Sequence, residues 1–201
     1  MESNQIQEDI QYIKKMIENN RHTLVDNGLS YIINGLIVAI GIPLTILMGY
    51  NGFEQYIPYV WLLLIAVMIF ANLIANKKIE KKNRVKTFGS ELFGAVWGAC
   101  GLSIIIIFIL SFSSIGMGEV SFFMSISGIL AIGYFLTGVI NDLKFMKVLA
   151  ALWWLTSIIS GLWLLFSTIQ YLNFFFSFMV LVLQLIPATI IYKKWKRVYN
   201  G

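Results

Sequence analysis

Long apolar runs separated by short polar segments dominate the chain. Each run is long enough, at 1.5 Å per residue of helix, to cross about 30 Å of hydrocarbon. The runs are continuous rather than alternating, which predicts helices instead of the strands of a membrane barrel. The expected fold is therefore all-α, a polytopic transmembrane bundle of six helices in three hairpins. The runs place the spans at 29–48, 57–75, 92–112, 120–140, 148–168 and 174–192.

The composition agrees with a membrane protein and excludes an ordinary soluble domain. The chain is 58% hydrophobic and 12% charged, whereas soluble domains have roughly 45–50% apolar and about 25% charged residues. One soluble core could not use so large an apolar excess. The bilayer is therefore the expected solvent for most of the chain.

The basic residues all lie on one side of this layout. The 15 lysines and arginines fall in the N-terminal segment, the island 77–86, the loop after the fourth span and the tail. Because basic loops stay in the cytoplasm, both termini are predicted to be cytoplasmic. The same charge favours anionic lipid headgroups. It forms no stripe on a soluble domain, so no nucleic-acid partner is expected.

The polar segment before the first span has the pattern of an amphipathic helix. Ile6, Ile10, Ile13 and Ile17 are spaced to share one side of a helix. Such a helix either lies on the headgroups or packs under the bundle, or it docks a partner or a second copy. The expected organisation is an amphipathic cytoplasmic segment (1–26), a six-helix transmembrane domain (27–192) and a basic cytoplasmic tail (193–201).

The spans lack the groups that usually carry catalysis. All ten acidic residues lie in loops or at span ends, and the one histidine, His22, precedes the first span. Metal-binding, phosphate-binding and nucleophile motifs are absent from the sequence. Intramembrane enzymes and ion-coupled carriers usually bury ionisable groups. We therefore expect a protein that is not an enzyme and has no cofactor or metal.

A small polar set lies in the half of the spans nearer the cytoplasm. Asn34 and Asn72 occupy similar depths on neighbouring spans, and Glu91 and Gln184 lie in the same half. One interpretation is hydrogen bonding between helices. The other is a polar pocket open to the cytoplasm with Glu91 at its rim, although an acid in the first turn also stabilises a helix start. The tryptophans of the fifth span are interpreted first as packing residues and second as the wall of a ligand site.

Small residues predict where helices approach closely. Gly35 and Ala39 are four apart on the first span, and Gly94, Gly98 and Gly101 share one face of the third. The third span is therefore predicted to be the tightly packed centre of the bundle.

The last three spans carry a resemblance to a protein group. They read ISGILAIGYFLTGVI, ALWWLTSIISGLW and LVLQLIPATIIYKKWKR. This layout resembles a loose group of uncharacterised bacterial six-span inner-membrane proteins that share a Gly-Tyr-Phe segment, a Trp-rich fifth span and a proline late in the last span. Ala188 follows Pro187 where those proteins tend to have glycine. The resemblance implies a multi-pass protein of the bacterial inner membrane and no particular activity or site.

Three functional hypotheses follow, of which an intramembrane enzyme ranks last because the spans lack ionisable groups. The first is a non-catalytic membrane protein that acts through a protein partner, as a regulatory or scaffold subunit, or through a second copy of itself. The alternative is a small-molecule binding or transport component. Six spans with both ends inside are similar to the substrate-binding subunits of energy-coupling vitamin importers, although those subunits usually have more polar outward loops.

Overall fold

The computed structural model describes residues 28–80, 88–111, 118–165 and 169–200, together with Gln11. These residues form helices joined by short turns, so the expected all-α class is confirmed. The predicted N-terminal amphipathic helix, Gln11 apart, and residues 81–86 of the basic island lie outside the described residues. The helices are α1 (Leu29–Tyr50), α2 (Ile57–Glu80), α3 (Phe88–Ser111), α4 (Glu119–Ile140), α5 (Lys144–Gly161), α6 (Ile169–Val180) and α7 (Ile186–Asn200).

Two kinds of short helical turn complete the chain. Three-residue 3₁₀ turns, Glu54–Tyr56 and Trp163–Leu165, precede α2 and follow α5. A π-helical turn, Leu181–Leu185, joins α6 to α7 without a break. This turn ends two residues before Pro187, which has no N–H to donate and so disturbs the regular pattern of a helix.

Five helical stretches are long and apolar enough to cross a membrane. They are Leu29–Tyr50, Glu54–Ala75, Glu91–Ser111, Glu119–Ile140 and Tyr171–Lys193. They correspond to the first four predicted spans and the last one. The helix at the fifth position, α5, is not among them: it has 18 residues, begins with Lys144 and includes Lys147.

The structure also moves the boundaries of the last two predicted spans. The fifth was expected at 148–168, but α5 begins at Lys144 and ends at Gly161. The sixth was expected to begin at 174, but α6 begins at Ile169. Hydropathy marks where a chain prefers lipid, and a helix can begin before that point because its backbone hydrogen bonds continue, as at Lys144 and Ile169. A helix can also end inside an apolar run, as α5 does at Gly161 ahead of the 3₁₀ turn Trp163–Leu165.

A tight turn folds α5 directly back onto α4. Asp142 has a left-handed backbone (φ 50°), and the Leu143 N–H donates to the Gly138 carbonyl at 2.9 Å. The Asp142 N–H donates to the Val139 carbonyl at 3.3 Å, which completes a Schellman motif. An ion pair at 3.6 Å joins Asp142 to Lys147 across the turn. This geometry makes α4 and α5 an antiparallel hairpin.

The best-packed part of the bundle lies between α4, α5 and α6. Ala131 of α4 and Ala150 and Trp153 of α5 are completely buried, as is Leu172 of α6. Helix α1 packs against α2 on one side and against α6, the π turn and α7 on the other, while α3 packs on α4. The centre of the bundle is therefore the α4–α5–α6 junction.

The prediction that α3 is the packed centre is wrong for the described residues. A Cβ added at Gly94, Gly98 or Gly101 would meet nothing within 4 Å. The α3–α4 contact instead places large α3 side chains against a glycine of α4. A Cβ at Gly133 would lie 3.2 Å from the Trp97 ring and 3.3 Å from the Cys100 sulfur. Gly94, Gly98 and Gly101 thus face away from α4.

Candidate functional site

The structure brings Asn34 and Asn72 together at the α1–α2 contact. The Asn72 side-chain amide donates to the Asn34 side-chain oxygen at 2.6 Å and to the Met68 carbonyl at 2.8 Å. Both side chains are half-buried. This contact matches the interpretation as hydrogen bonding between helices.

A second polar contact on the same helix pair was missed in the sequence. The Trp61 indole donates to the Thr45 hydroxyl at 2.8 Å, and that hydroxyl donates to the Gly41 carbonyl at 2.9 Å. A Cβ at Gly41 would lie 2.9 Å from the Trp61 ring, so glycine is required for the contact. The available signal was a threonine four residues after a glycine, on the span that precedes an interfacial tryptophan.

Removing the asparagine pair provides a first test. In a double-mutant cycle with Asn34→Ala and Asn72→Ala, we expect a coupling free energy of about 0.6 to 1.7 kcal/mol, the range of hydrogen bonds between membrane helices. Reversible unfolding in mixed micelles measures it. Asn51→Ala paired with Asn34→Ala is the control, because in the described structure the Asn51 amide bonds to the Leu47 carbonyl at the end of α1 and not to Asn34. A coupling near zero for Asn34 and Asn72 would contradict the structure.

Gln184 lies in the π turn and contacts α1. Its side-chain amide donates to the Tyr31 carbonyl at 3.3 Å. Gly35 makes this approach feasible: a Cβ there would lie 2.8 Å from Leu185 and 3.3 Å from Gln184. Ala39, the other small residue predicted on this face, is half-buried.

An aromatic cluster (Tyr31, Trp97 and Tyr134) joins α1, α3 and α4. The Tyr31 ring stacks on Tyr134 with centroids 5.6 Å apart and meets Trp97 edge-on at 5.2 Å. The Trp97 indole donates to the Thr137 hydroxyl at 3.0 Å. Because the rings are in mutual contact, they fill the space between the helices themselves.

Glu91 does not join this polar set. It is exposed in the first turn of α3, where a carboxylate favours the helix start. Within the described residues, no hydrogen bond links it to Asn34, Asn72 or Gln184. In the described structure, Asn34 and Asn72 are therefore engaged at one helix contact and Gln184 at another.

A different polar set lies at the α4–α5–α6 junction. Ser127 on α4 and Trp153 and Ser160 on α5 are completely buried. The two hydroxyls and the Trp153 indole nitrogen have no hydrogen-bond partner in the described structure. Phe176 of α6 lies beside them, with its ring centroid 6.0 Å from that of Trp153. The sequence analysis missed this set; the signal it could have used is the spacing of Trp153 and Ser160, seven residues apart and so on one helix face.

The chemistry available to these residues is hydrogen bonding and packing. Among the residues that the structure describes, no three His, Cys, Asp or Glu side chains are grouped to hold a metal ion. Charged groups stand at the ends of the helices, with Glu119 accepting a hydrogen bond from the Asn173 amide at 3.0 Å. Comparison of the chain with protein-family models, with curated proteins and with solved structures finds no match.

Proposed function

We propose that the protein is a six-span protein of the bacterial inner membrane with both termini in the cytoplasm. The five apolar helices support the membrane location. The charge distribution supports the orientation, because Lys144, Lys147 and Lys193 lie at the end opposite Glu54 and Glu119. The one further span needed is α5, fifth in chain order; it has 18 residues, about 27 Å of helix, and is paired with α4 along its length.

Within that membrane the protein acts as a non-catalytic regulatory or scaffold subunit that binds a partner protein. The observation that carries this proposal is the uneven packing of the bundle. In the most apolar stretch of α4, 44% of the residues are buried. In the most apolar stretch of α2, no residue is buried. The glycine face of α3 (Gly94, Gly98 and Gly101) has open space beside it.

Small residues on a membrane helix allow a second helix to approach closely. On α3 the glycine face is not used by the chain's own described helices, so it can accept a helix of another molecule. Gly94 and Gly98 have the four-residue spacing typical of helix–helix association in lipid. The predicted amphipathic segment 1–26 and the basic island would add cytoplasmic contacts with the same partner and with anionic headgroups.

Enlarging the glycine face tests this function. The variants Gly94→Leu and Gly98→Leu are expected to fold normally, since each Cβ enters open space, and to lose at least tenfold of the co-purifying partner. Affinity purification from crosslinked native membranes with quantitative mass spectrometry measures the loss. The control is Gly49→Leu, which also enters open space but lies at the end of α1.

A further variant lacking residues 1–20 separates the membrane contact from the cytoplasmic one. The proposal fails if all of these variants, including the truncated chain, retain the same partners as the wild type. Loss of partner from Gly49→Leu to the same extent would show that the effect is not specific to the α3 face.

A small-molecule binding or transport component is the second candidate function. The observation that favours it is the group of completely buried, unpartnered polar side chains at the α4–α5–α6 junction. Gln184 at the α1–π contact does not add to it, because its amide bonds to the Tyr31 backbone. At the α1–α2 contact the Asn72 amide nitrogen bonds to Asn34, while the Asn72 side-chain oxygen is buried without a partner in the described structure.

A further inference from the structure

Helix α7 continues beyond the membrane-spanning part of the chain. The last apolar stretch long enough to cross a membrane ends at Lys193, but α7 continues to Asn200. As far as the structure describes its neighbours, α7 packs chiefly on α1 and the π turn. Residues 194–200, the α7 extension, therefore form about two turns of helix beyond the span.

The start of α1 lies beside the point where this extension begins. A Cβ at Gly28 would lie 2.8 Å from the Ala188 carbonyl oxygen and 3.2 Å from the Ile191 side chain. Further along α1, a Cβ at Gly35 would lie 2.8 Å from Leu185, so α1 runs antiparallel to α7. Gly28 has a left-handed backbone (φ 72°), which turns the chain as it enters α1. The segment before Gly28 therefore meets the bundle next to the α7 extension.

The sequence of the α7 extension places apolar and basic positions on different sides of the helix. Trp195 and Val198 follow Ile191 by four and seven residues, a spacing that shares one side of a helix. Ile191 is also the residue that lies beside Gly28. The apolar side of the extension thus continues the side on which α1 packs. No acidic residue occurs between 186 and 200, and the basic ones are Lys193, Lys194, Lys196 and Arg197.

The segment 1–26 has a complementary pattern of apolar and charged residues. Its predicted isoleucine side, from Ile6 to Ile17, covers about 16 Å of helix, enough for the roughly 10 Å from Ile191 to Val198. Its three basic residues are outnumbered by five acidic ones, Glu2, Glu8, Asp9, Glu18 and Asp26. Helices that lie on anionic headgroups are instead rich in Lys and Arg. The charge of the segment therefore favours the basic α7 extension over the lipid surface.

We propose that the segment 1–26 docks on the α7 extension of its own chain, with its isoleucine side against positions 191, 195 and 198. Residues 18–27 connect the docked part to Gly28. Ten residues reach up to about 33 Å, which is far more than the length of the extension, so the connection allows either direction of the docked helix. Docking covers the apolar positions of both segments and brings acidic residues near the basic ones of α7.

This docking goes beyond the proposed function and does not depend on a partner protein. The isoleucine side is covered within one molecule, so the segment offers a partner only its charged side. Absence of the docking would leave the glycine face of α3 unchanged, and loss of a partner from that face would leave the docking unchanged. The two proposals therefore fail separately.

Site-specific photocrosslinking tests the docking. The full chain with Ile13→benzoylphenylalanine is placed in nanodiscs of phosphatidylethanolamine and phosphatidylglycerol and irradiated, and mass spectrometry identifies the crosslinked peptides. We expect crosslinks to residues 186–200 of the same chain. The control is Lys15→benzoylphenylalanine, because position 15 lies on the opposite side of a helix from position 13. It is expected to give at least fivefold less of this crosslink.

Two further measurements identify what the isoleucine side covers. A mixture of ¹⁵N-labelled and unlabelled chains separates crosslinks within one chain from those between two copies. Trp195→Ser is expected to reduce the α7 crosslink at least fivefold, whereas Lys196→Ser, at a position on another side of α7, is expected to retain it. Crosslinks from position 13 only to lipid or only between copies would overturn the proposal. Equal yields of the α7 crosslink from positions 13 and 15 would also overturn it.

Discussion

Replacing Trp153 with alanine is expected to destabilise the folded bundle by about 3 kcal/mol. Trp153 is the largest of the completely buried side chains and contacts Phe176 across the α5–α6 contact. In soluble proteins, part of such a loss is the transfer of apolar surface from water. Lipid is as apolar as the protein interior, so here the loss comes from van der Waals contacts around the cavity.

The neighbouring tryptophan provides a matched control for this variant. Trp154 is 40% exposed and contacts Phe135 with ring centroids 5.5 Å apart. Trp154→Ala is therefore expected to lower stability by less than half as much as Trp153→Ala. Chemical unfolding in mixed micelles, followed by the remaining tryptophan fluorescence, measures both. Equal losses in the two variants would show that the α4–α5–α6 junction is not the packed centre.

Gly138→Ala is expected to lower the free energy of unfolding by about 1–3 kcal/mol, as overpacking does. The added Cβ would lie 2.8 Å from the Lys147 Cγ and 2.9 Å from the Lys147 backbone nitrogen. The Lys147 side chain could rotate away from the added Cβ, but the Lys147 backbone nitrogen could not. The α4–α5 hairpin would have to open next to its Schellman turn, which is also held at Gly138.

Gly98→Ala is the matched control for Gly138→Ala. Both are glycines inside membrane helices, but the Cβ at Gly98 would meet nothing within 4 Å. Alanine favours helix over glycine by up to about 1 kcal/mol, so Gly98→Ala is expected to be neutral or stabilising. Thermal unfolding of the purified proteins distinguishes the two. A destabilising Gly98→Ala in a monomeric sample would contradict the open face of α3.

The polar residues show how far depth along a span can predict contacts. Asn34 and Asn72 could be paired from the sequence because a hairpin of known direction places equal depths side by side. Gln184 was singled out for its position in a span, but its bond to the Tyr31 carbonyl depends on the π turn and on Gly35. The rotation of one helix about its axis relative to the next is not set by hydropathy.

The glycines of α3 and α4 also show that the sequence does not set how a helix is rotated about its axis. Both helices carry glycines at spacings that allow close approach, and the sequence offers no means to decide which set is used. The structure uses Gly133 and Gly138 of α4, against Trp97 of α3 and Lys147 of α5. The glycines of α3 remain on an outward face.

The sequence by itself determined that the chain is all-helical, with helices long and apolar enough to cross a membrane, because the length of the apolar runs suffices for that. The three predicted hairpins were right only in part: the structure pairs α1 with α2 and α3 with α4, but α5 packs chiefly on α4 rather than on α6. Only the tertiary structure decided which helix lies at the centre and which polar groups are left without partners. In lipid every apolar face is equally acceptable to the solvent, so burial follows from steric fit between helices. That fit depends on helix rotation and on backbone details such as the left-handed Asp142 and the π turn.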